Sequence, residues 1–305
     1  MTGEQEPDHP AQTPTSHRTT KVPAGLHLIA TPIGAARDIT LRALDILACA
    51  DVLAAEDTRS LRRLMEIHGV PLNGRPLLAY HDHNGAQMRP RLLAALAEGK
   101  SVAFAPEAGT PMVSDPGFQL SREAAAQGHT VLAAPGASAV LAALAVGGLP
   151  TDRFCFMGFP PAAQAARKRF LTEAAPIPAT LIFYDSPKRI HRLLTEIADT
   201  LGEARDCALC RELTKRFEEV IRGTVAEVAE AIADRDLKGE IVLLVGRPLE
   251  GTGEEFDIDD LLRTALTANT LRNAVDQVAA QSGLPRRQVY QQALSLQAER
   301  KKMEE

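Results

Sequence analysis

Short apolar runs alternate along most of the chain with longer segments in which apolar residues recur at helical spacing. The run 26–30 is followed by Leu41, Leu44 and Leu47, which lie three residues apart. Apolar runs of four to eight residues are typical of buried strands, and spacings of three and four indicate amphipathic helices. Strands that alternate with helices predict an α/β fold.

The alternation continues to residue 133 and then begins again, which predicts two successive α/β lobes. The first lobe covers 24–135 and the second covers 136–249, with the boundary in the turn at Pro135. We predict strands over 26–30, 52–55, 77–80, 101–105, 130–133, 154–157, 180–184, 207–209 and 240–245. The helices between them are predicted over 41–47, 61–67, 89–97, 118–126, 139–146, 163–173, 190–201 and 225–233.

The two ends of the chain differ in composition from the lobes. Residues 1–23 are rich in Pro, Thr, Gln and charge, which predicts a disordered extension. Residues 250–260 form an acidic linker, and 261–305 form a helical tail with helices predicted over 261–266, 271–280 and 285–296. The segment 283–287, Gly-Leu-Pro-Arg-Arg, resembles the turn of a helix-turn-helix, and the alternative is a helical packing or dimerisation element.

Composition and charge are those of a soluble globular protein, with 45% hydrophobic and 24% charged residues among 305. No apolar stretch reaches the length of a membrane helix, and the first residues lack the apolar core of a signal peptide. We therefore expect a cytoplasmic protein with no membrane partner. The net charge of −5 requires any basic, RNA-binding surface to be local.

The segment 107–117, Glu-Ala-Gly-Thr-Pro-Met-Val-Ser-Asp-Pro-Gly, directly follows the apolar run 101–105. Glycine lets a ligand touch the backbone, proline stiffens the loop, and small hydroxyls offer hydrogen bonds. Because ligands of open α/β sheets lie beyond the carboxyl ends of the strands, we predict that this loop is the floor of a small-molecule site. The alternative is a rigid structural turn.

Three further strand ends carry glycine, proline or acids, at 31–34, 55–59 and 135–138. The carboxyl ends of neighbouring parallel strands converge on one crevice, so all four loops are predicted to line a single cleft between the lobes. The chain has no G-x-G-x-x-G after its first strand and no G-x-x-x-x-G-K-[ST]. These absences argue against the usual dinucleotide fold and against a P-loop NTPase.

Imidazole and basic side chains cluster at other predicted strand ends. His81 and His83 would share one face if the third strand continued, and without a third metal ligand they favour a substrate-facing loop over a metal site. A solvated surface loop is the alternative. Lys188, Arg189 and Arg211 suit phosphate groups, and the alternative is a solvated face with ion pairs.

Several strings of residues occur together in one order along the chain. They are Leu28–Gly34, Asp38–Ala43, Ala50–Val52 with Ala55–Arg59, Tyr80–Asn84, Ala108–Pro111 with Ser114–Gly117, Gly148–Phe154, Phe183–Pro187 and Arg211–Lys215. Together they resemble the bacterial small-subunit ribosomal RNA cytidine 2′-O-methyltransferases, a branch of the tetrapyrrole-methylase superfamily. The resemblance covers residues 26–245 and extends to the tail.

This resemblance implies a two-lobed, tetrapyrrole-methylase-like fold with a small C-terminal helical tail, and a homodimer. It implies S-adenosylmethionine in the cleft between the lobes. It also implies methylation of a cytidine 2′-hydroxyl in the decoding region of small-subunit rRNA, with the rRNA or the ribosomal subunit as partner. Cofactor contacts are expected at Pro32, Glu107, Ala108, Gly109, Thr110, Ser114, Asp115, Pro135, Gly136, Ser138, Tyr184 and Leu213. RNA contacts are expected at Arg59, His81, His83, Lys188, Arg189 and Arg211.

Five positions depart from the family pattern, among them Lys188 and Phe217, where His is common. Ala35 stands where Asn is usual, and Pro106 and Glu107 stand where Ser and Asp are usual. Glutamate is one methylene longer than aspartate, and proline removes a backbone donor. We therefore expect the cofactor affinity or the position of this loop to differ from the family pattern.

A 2′-hydroxyl is a poor nucleophile while it is protonated, so an acceptor or base close to it should help. Glu56, Asp57 and Glu212 are the candidate acids. Lys215 is a candidate base only if burial lowers its pKa, and otherwise it positions phosphate. Two other functions remain open: a methyltransferase that acts on a tetrapyrrole or another small molecule, and a non-catalytic RNA-binding or assembly protein.

Overall fold

The computed structural model describes residues 21–112, 117–248, 258–282 and 285–304. The predicted extension over 1–23 lies outside these ranges except for its last three residues, and the predicted linker over 250–260 does so except for 258–260. Ser114 and Asp115 also lie outside the described residues, as do residues 283 and 284 of the predicted turn. Two sheets form one compact unit that ends at Gly246, and the C-terminal helices form a second unit.

Five parallel strands form the first sheet. They are β1 (Gly25–Ile29), β2 (Val52–Ala55), β3 (Leu77–Ala79), β4 (Ser101–Ala105) and β5 (Val131–Ala134). The strand order is β3-β2-β4-β1-β5, and every neighbouring pair is parallel. The carboxyl ends of all five strands therefore lie along one edge, which carries the loops that the sequence predicts at the site.

Helices cover both faces of this sheet, because successive residues of a strand point to opposite sides. The helices are α1 (Leu41–Cys49), α2 (Thr58–Ile67), α3 (Gly85–Ala97) and α4 (Gly117–Ala126). Leu53 and Ala103 share a core with α1 and α2, whereas Val52 and Val102 share another with α3 and α4. Thr40 caps α1 as predicted, with its hydroxyl oxygen 3.2 Å from the Ala43 amide that donates to it.

The second sheet is mixed. It contains β6 (Phe154–Gly158), β7 (Thr180–Asp185), β8 (Asp206–Arg211), β9 (Glu219–Thr224) and β10 (Ile241–Val245), in the order β6-β7-β10-β8-β9. Only β6 and β7 pair in parallel. The helices of this lobe are α5 (Ala139–Gly147), α6 (Gln164–Ala174), α7 (Pro187–Leu201) and α8 (Val225–Ile232). Helix α5 packs on one face through Val140 and Leu144, and Phe170 of α6 contacts Phe183 on the other.

Two features of the second sheet differ from the sequence predictions. Strand β9 is unpredicted, because Glu219, Arg222 and Gly223 interrupt the apolar pattern that marks the other strands. Strand β10 runs antiparallel to β7 and β8, so Ile241 at its start pairs with Asp185 and Arg211 at their ends. The second lobe therefore presents the beginning of one strand and the carboxyl ends of two others at the same edge.

Three helices form the second compact unit: α9 (Ile258–Ala268), α10 (Leu271–Ser282) and α11 (Arg286–Glu304). They enclose a core of their own, to which Leu262, Val275 and Val289 contribute fully buried side chains. The two sheets with their helices and the helical C-terminal part confirm the predicted fold class. Among the described residues, no helix combines the length and apolarity needed to cross a bilayer.

Candidate active site

A cavity of about 200 Å³ lies where the loops of the first sheet face the edge of the second sheet. The first lobe contributes the loops after β1 and β4, and the loop after β5 joins them at the boundary between the lobes. The second lobe contributes the end of β7, the start of β10 and the residue after β6. The lining residues are Ile33, Ala108, Gly109, Thr110, Ser138, Ala139, Phe159, Tyr184, Asp185, Glu240, Ile241 and Val242. Three of the four loops predicted from the sequence therefore contribute to one cavity, whereas the loop 55–59 contributes no lining residue.

The loops after β1 and β4 are joined by a short antiparallel bridge. The Thr31 amide donates to the Gly109 carbonyl at 2.9 Å, and the Gly109 amide donates to the Thr31 carbonyl at 3.0 Å. The Thr31 hydroxyl also donates to the Pro106 carbonyl at 3.4 Å. Gly109 has a φ of 82°, a left-handed conformation that costs glycine little. The bridge fixes the floor of the cavity by main-chain bonds.

The loop after β5 closes the same floor from the third side. The Thr110 hydroxyl donates to the Ala137 carbonyl at 2.9 Å, which ties this loop to the one after β4. Ser138 stands at the N-cap of α5, where its side chain makes no capping hydrogen bond, and it lines the cavity. A hydroxyl at a helix N-terminus, not used as a cap, is a suitable donor and acceptor for a polar ligand.

Aromatic rings form the wall opposite these loops. Tyr184 contacts Phe156 and Phe159, with ring centroids 4.8 Å and 5.5 Å away. Burial raises the pKa of Tyr184 to about 12, so the phenol stays protonated at neutral pH. Phe159 lines the cavity and is largely exposed, so its ring can lie against a flat ligand.

A cation held between two carboxylates stands at the edge of the cavity. The Lys215 ammonium donates to Glu212 Oε1 and to Glu240 Oε2, each at 2.9 Å. Burial lowers the pKa of Lys215, but the two carboxylates outweigh it and the pKa is raised overall. The hydrogen bond from Lys215 lowers the pKa of Glu212 in turn. The structure therefore opposes the prediction that burial makes Lys215 a base.

The loop that carries Lys215 is packed directly against the loop after β1. A Cβ added to Gly34 would lie 2.5 Å from Lys215 Cγ, 2.6 Å from the Thr214 hydroxyl and 3.0 Å from the Leu213 carbonyl oxygen. The Ala35 amide donates to the Thr214 hydroxyl at 3.1 Å. Glu212 and Thr214 have φ values of 52° and 63°, which side-chain-bearing residues rarely adopt. This strained loop is the contact that couples the two lobes beside the cavity.

Glu56 supports the floor loop from outside the cavity. Its Oε2 accepts from the Glu107 amide at 3.1 Å, and its own amide donates to the Ala105 carbonyl at 3.1 Å. Pro106 and Glu107, where the chain departs from the family pattern, are thus both bonded to neighbouring elements. Pro32 and Glu107 line an adjacent depression of about 190 Å³ with Gly34 and Arg63.

The structure brings only part of the predicted cofactor contacts to the cavity. Pro32 and Glu107 face the adjacent depression, while Leu213 packs in the core with α5. Pro135 and Gly136 are exposed in the loop that leads to Ser138. Those that line the cavity are Ala108, Gly109, Thr110, Ser138 and Tyr184.

The predicted RNA contacts of the first lobe lie at the carboxyl ends of the strands of the first sheet, the edge from which the cavity-lining loops also extend. Arg59 is 91% exposed in its side chain and forms an ion pair with Asp57 at 2.8 Å; its hydrogen bonds lower the pKa of Asp57 to about 2. Strand β3 ends at Ala79, so His81 and His83 lie in a turn and do not share a strand face. Their rings still contact, with centroids 6.0 Å apart.

The predicted RNA contacts of the second lobe differ in how many hydrogen bonds their side chains donate within the protein. Lys188 is exposed, whereas Arg189 Nε donates to Asp185 Oδ1 at 2.6 Å. Arg211 Nε donates to Glu219 Oε2 at 3.1 Å, and its Nη1 donates to the Lys238 carbonyl at 3.2 Å. Arg211 thus ties β8 to β9 and to the chain before β10.

Several lining residues were missed by the sequence reasoning. Asp185 directly follows Tyr184 in a polar strand end, which is a signal for it. Phe159 follows the glycine that ends β6, and Ile33 lies in a loop already predicted at the site. Glu240 precedes a strand, and only the antiparallel direction of β10 brings it to the cavity.

Two family descriptions match the chain. Residues 25–229 match the Tetrapyrrole (Corrin/Porphyrin) Methylases, and residues 252–297 match the RsmI C-terminal HTH domain. The first match covers more than half of the chain and includes the loops that line the cavity from the first lobe. The second match covers most of the helical C-terminal part.

Relatives by sequence and solved structures agree with these two family matches. A ribosomal RNA small subunit methyltransferase I of Mesorhizobium japonicum is 44% identical over 283 residues, or 91% of this chain and 95% of its own. The solved methyltransferase CobJ has a TM-score of 0.57 at 20% identity and covers 73% of this chain and 94% of its own. A uroporphyrin-III C-methyltransferase of Thermus thermophilus, solved in complex with S-adenosylhomocysteine, has a TM-score of 0.50 at 20% identity over 73% and 97%.

Proposed function

Since this chain belongs to the tetrapyrrole (corrin/porphyrin) methylase family and, within it, to the ribosomal RNA small subunit methyltransferases I, we propose that it methylates a cytidine 2′-hydroxyl in the decoding region of small-subunit rRNA. It is a methyltransferase of rRNA, and its methyl donor is S-adenosylmethionine. Membership of this family confirms the resemblance seen in the sequence motifs. It also favours rRNA over a tetrapyrrole as the substrate, and an enzyme over a non-catalytic RNA-binding protein.

The observation that carries this proposal is the chemical character of the interlobe cavity. Main-chain groups of Ala108 and Thr110 and the Ser138 hydroxyl offer hydrogen bonds along one side, and the rings of Phe159 and Tyr184 offer a flat apolar wall along the other. Asp185 and Glu240 add negative charge for a cationic ligand. A donor with an adenine ring, hydroxyl groups and a sulfonium centre fits this lining.

We propose that Lys215 acts on the reacting oxygen as a fixed cation. The bound donor supplies a methyl group that is already activated, so the protein has mainly to align the attacking oxygen and stabilise its charge. An ammonium has three N–H donors, and two of those of Lys215 are used by Glu212 and Glu240 in the described structure. The third can donate to the 2′-oxygen as that oxygen loses its proton.

The proton of the hydroxyl requires an acceptor close to this ammonium. Glu212 is held as a carboxylate by its hydrogen bond from Lys215, and Glu56 is half-buried at the neighbouring loop. We propose that Glu212, the carboxylate bonded to Lys215, accepts the proton, while Glu56, which lies outside the cavity, holds the floor loop through the Glu107 amide. Single-turnover rates of Glu56→Gln and Glu212→Gln, compared at saturating donor, separate these roles.

The RNA is proposed to approach across the edge where the first-lobe loops end. Arg59 projects into solvent there, and the His81 and His83 rings lie at the end of the neighbouring strand. Arg211 is held by Glu219 and by a backbone carbonyl, and we assign it to the fold and not to the RNA. Of the RNA contacts predicted for the second lobe, this arrangement leaves Lys188 and Arg189, both on the first turn of α7.

Mapping of ribose methylation tests the proposed reaction. In small-subunit rRNA from cells that lack the gene, one 2′-O-methylcytidine of the decoding region should be absent, and re-expression of the chain should restore it. An expressed Lys215→Met variant should not restore it. An unchanged methylation pattern in the deletion strain would contradict the rRNA assignment and favour a small-molecule substrate.

The aromatic wall gives a second test, on donor binding alone. We expect Tyr184→Ala to weaken S-adenosylmethionine binding by about tenfold or more, because it removes the ring that Phe156 and Phe159 pack against. Tyr184→Phe keeps the ring and should bind within about threefold of the parent. Isothermal titration calorimetry measures both. Phe154→Ala, at the opposite end of the second sheet, is the control that should leave the affinity unchanged.

We propose that the chain works as a homodimer in the cytoplasm, where ribosomal subunits are its partners. Leu132 on the edge strand β5 and Leu41 at the start of α1 are exposed apolar side chains at one side of the first lobe. Sedimentation equilibrium should give twice the mass of the chain. Leu132→Asp should shift the protein towards the monomer, and a monomeric parent protein would contradict the dimer.

A further inference from the structure

A second cavity, of about 150 Å³, opens beside the start of α7 and shares Asp185 with the methyl-donor cavity. It is lined by Ala162, Arg167, Asp185, Lys188, Arg189, Arg192 and Leu193. Four of these seven side chains are cationic. The only carboxylates that pair with them in the described structure are Asp185 and Glu196, so an excess of two positive charges faces the space.

One arginine forms the wall of this cavity, and the protein uses four of its five N–H donors. Arg167 is 5% exposed, and its Nη2 donates to Glu196 Oε1 at 2.8 Å. Its Nε also donates to Glu196, and its Nη1 donates to the Pro161 and Ala162 carbonyls at 2.8 Å each. Its guanidinium is therefore fixed, and it contributes charge and shape.

The rim of the cavity carries the donors that remain for a ligand. In the described structure Arg192 donates its Nε to Glu196 at 3.0 Å, and 54% of its side chain is exposed, so its Nη groups remain as donors for a ligand. The Lys188 side chain is exposed and pairs with no carboxylate in the part of the chain described. Both residues lie on the first turns of α7, whose N-terminal end adds positive potential.

Asp185 connects this cavity to the methyl-donor cavity. Its carboxylate is almost fully buried and lines both spaces, and it accepts from Arg189 Nε at 2.6 Å and from the Ser186 amide at 2.7 Å. A group bound in the second cavity is therefore separated from the methyl-donor cavity by the Asp185 carboxylate. Asp185 holds Arg189 in place, and the Arg189 side chain lines the second cavity.

We propose that this second cavity binds one backbone phosphodiester of the RNA substrate, close to the nucleotide that is methylated. The inference rests on the proposed rRNA methylation. Two excess positive charges suit a phosphate group, which arginine and lysine bind by charge-assisted hydrogen bonds. The cavity is small and its free donors lie on the rim, so it accepts a phosphate that projects from a longer chain. Lys188 and Arg192 supply these donors, and Arg167 and Arg189 supply the fixed charge.

The salt dependence of RNA binding tests this assignment. A transcript that contains the mapped methylation site is titrated with the parent protein and with Lys188→Gln and Arg192→Gln, at several salt concentrations. Loss of one phosphate contact lowers the slope of log K against log salt by about 1, and we expect this decrease for each variant. Arg169→Gln is the matched control, since Arg169 is an 80% exposed arginine on α6 whose one ion pair among the described residues is with Glu173. It should keep the parent slope.

A single neutral methylphosphonate, moved along the transcript, identifies the phosphate. We expect one position to weaken binding to the parent and to Arg169→Gln, but not to weaken it further for the double variant Lys188→Gln and Arg192→Gln. Parent-like slopes for both single variants would overturn the assignment. So would saturable binding of inorganic phosphate that leaves the RNA slope unchanged, because it would mean a free-anion site.

The outcomes distinguish this inference from the proposed function. If the double variant methylates the transcript with the parent's RNA affinity, the phosphate site is wrong and the methylation assignment stands. If the parent protein itself methylates no small-subunit rRNA, the proposed function is wrong. Calorimetry with S-adenosylmethionine should give the parent affinity for all variants, which shows that they are folded.

Discussion

Replacing Gly34 by valine should reduce methyl transfer by about 100-fold or more while the protein still folds. The first side-chain atom would lie within 3.0 Å of the Leu213 carbonyl oxygen, the Thr214 hydroxyl and Lys215 Cγ. The loop after β1 and the loop that carries Lys215 must therefore move apart, and the Ala35–Thr214 hydrogen bond must lengthen or break. A displacement of about 1 Å at a catalytic group costs about 100-fold in rate. Single-turnover methylation of the rRNA substrate measures the effect.

A glycine with free space around it provides the control for this prediction. A Cβ at Gly69 meets no atom within 4 Å, although its φ of 64° makes substitution costly. Gly69→Ala should lower the thermal stability slightly, by about 1 kcal/mol, and keep the parent rate. If Gly34→Val methylates at the parent rate, the contact between the two loops is not needed for the reaction. Gly34→Ala should give an intermediate rate.

Replacing Lys215 by methionine should lower the single-turnover rate by about 100-fold to 1000-fold, with the S-adenosylmethionine affinity changed by less than about twofold. This is the usual effect of removing one donor that stabilises a developing oxyanion. Methionine keeps the length of the side chain but lacks the ammonium that Glu212 and Glu240 hold. Rapid-quench methylation and calorimetry measure the rate and the affinity separately.

The pH dependence of the rate distinguishes a cation from a base at this position. The pKa of Lys215 is raised in the folded protein, so the ammonium persists above about pH 10, the ordinary value for lysine. The rate should therefore show no rise between about pH 7 and 9 that is due to Lys215, and Lys215→Arg should retain part of the activity. A rate that rises through this range in the parent, but not in Lys215→Arg, would instead identify Lys215 as the base.

The floor of the cavity could be predicted from the sequence because its chemistry is local. Glycine, proline and small hydroxyl residues after apolar runs predict ligand-binding loops, and Ala108–Thr110 and Ser138 do line the cavity. Adjacent residues in an extended segment point to opposite sides, however. Ile33 faces the cavity, whereas Pro32 and Gly34 face the neighbouring depression. The loop could be assigned from the sequence, but the side that each residue faces could not.

The second lobe was harder to predict, because its strand directions depend on tertiary pairing. The apolar run of β10 carries no sign of its direction, and its antiparallel course brings Glu240 to Lys215. Strand β9 was missed, so the pairing of Arg211 with Glu219 across β8 and β9 could not be foreseen. The charge of Arg211 alone therefore favours RNA binding, although the fold already uses two of its five N–H donors.

Binding of the methyl donor between the two sheets is the premise on which the other assignments depend. A crystal structure of this protein with S-adenosylmethionine tests it most directly. We expect the donor to lie against Gly109 and Ser138 on one side and Tyr184 on the other, with its methyl group directed towards the side of Lys215. A donor bound elsewhere on the protein, or a cavity closed in the complex, would contradict it.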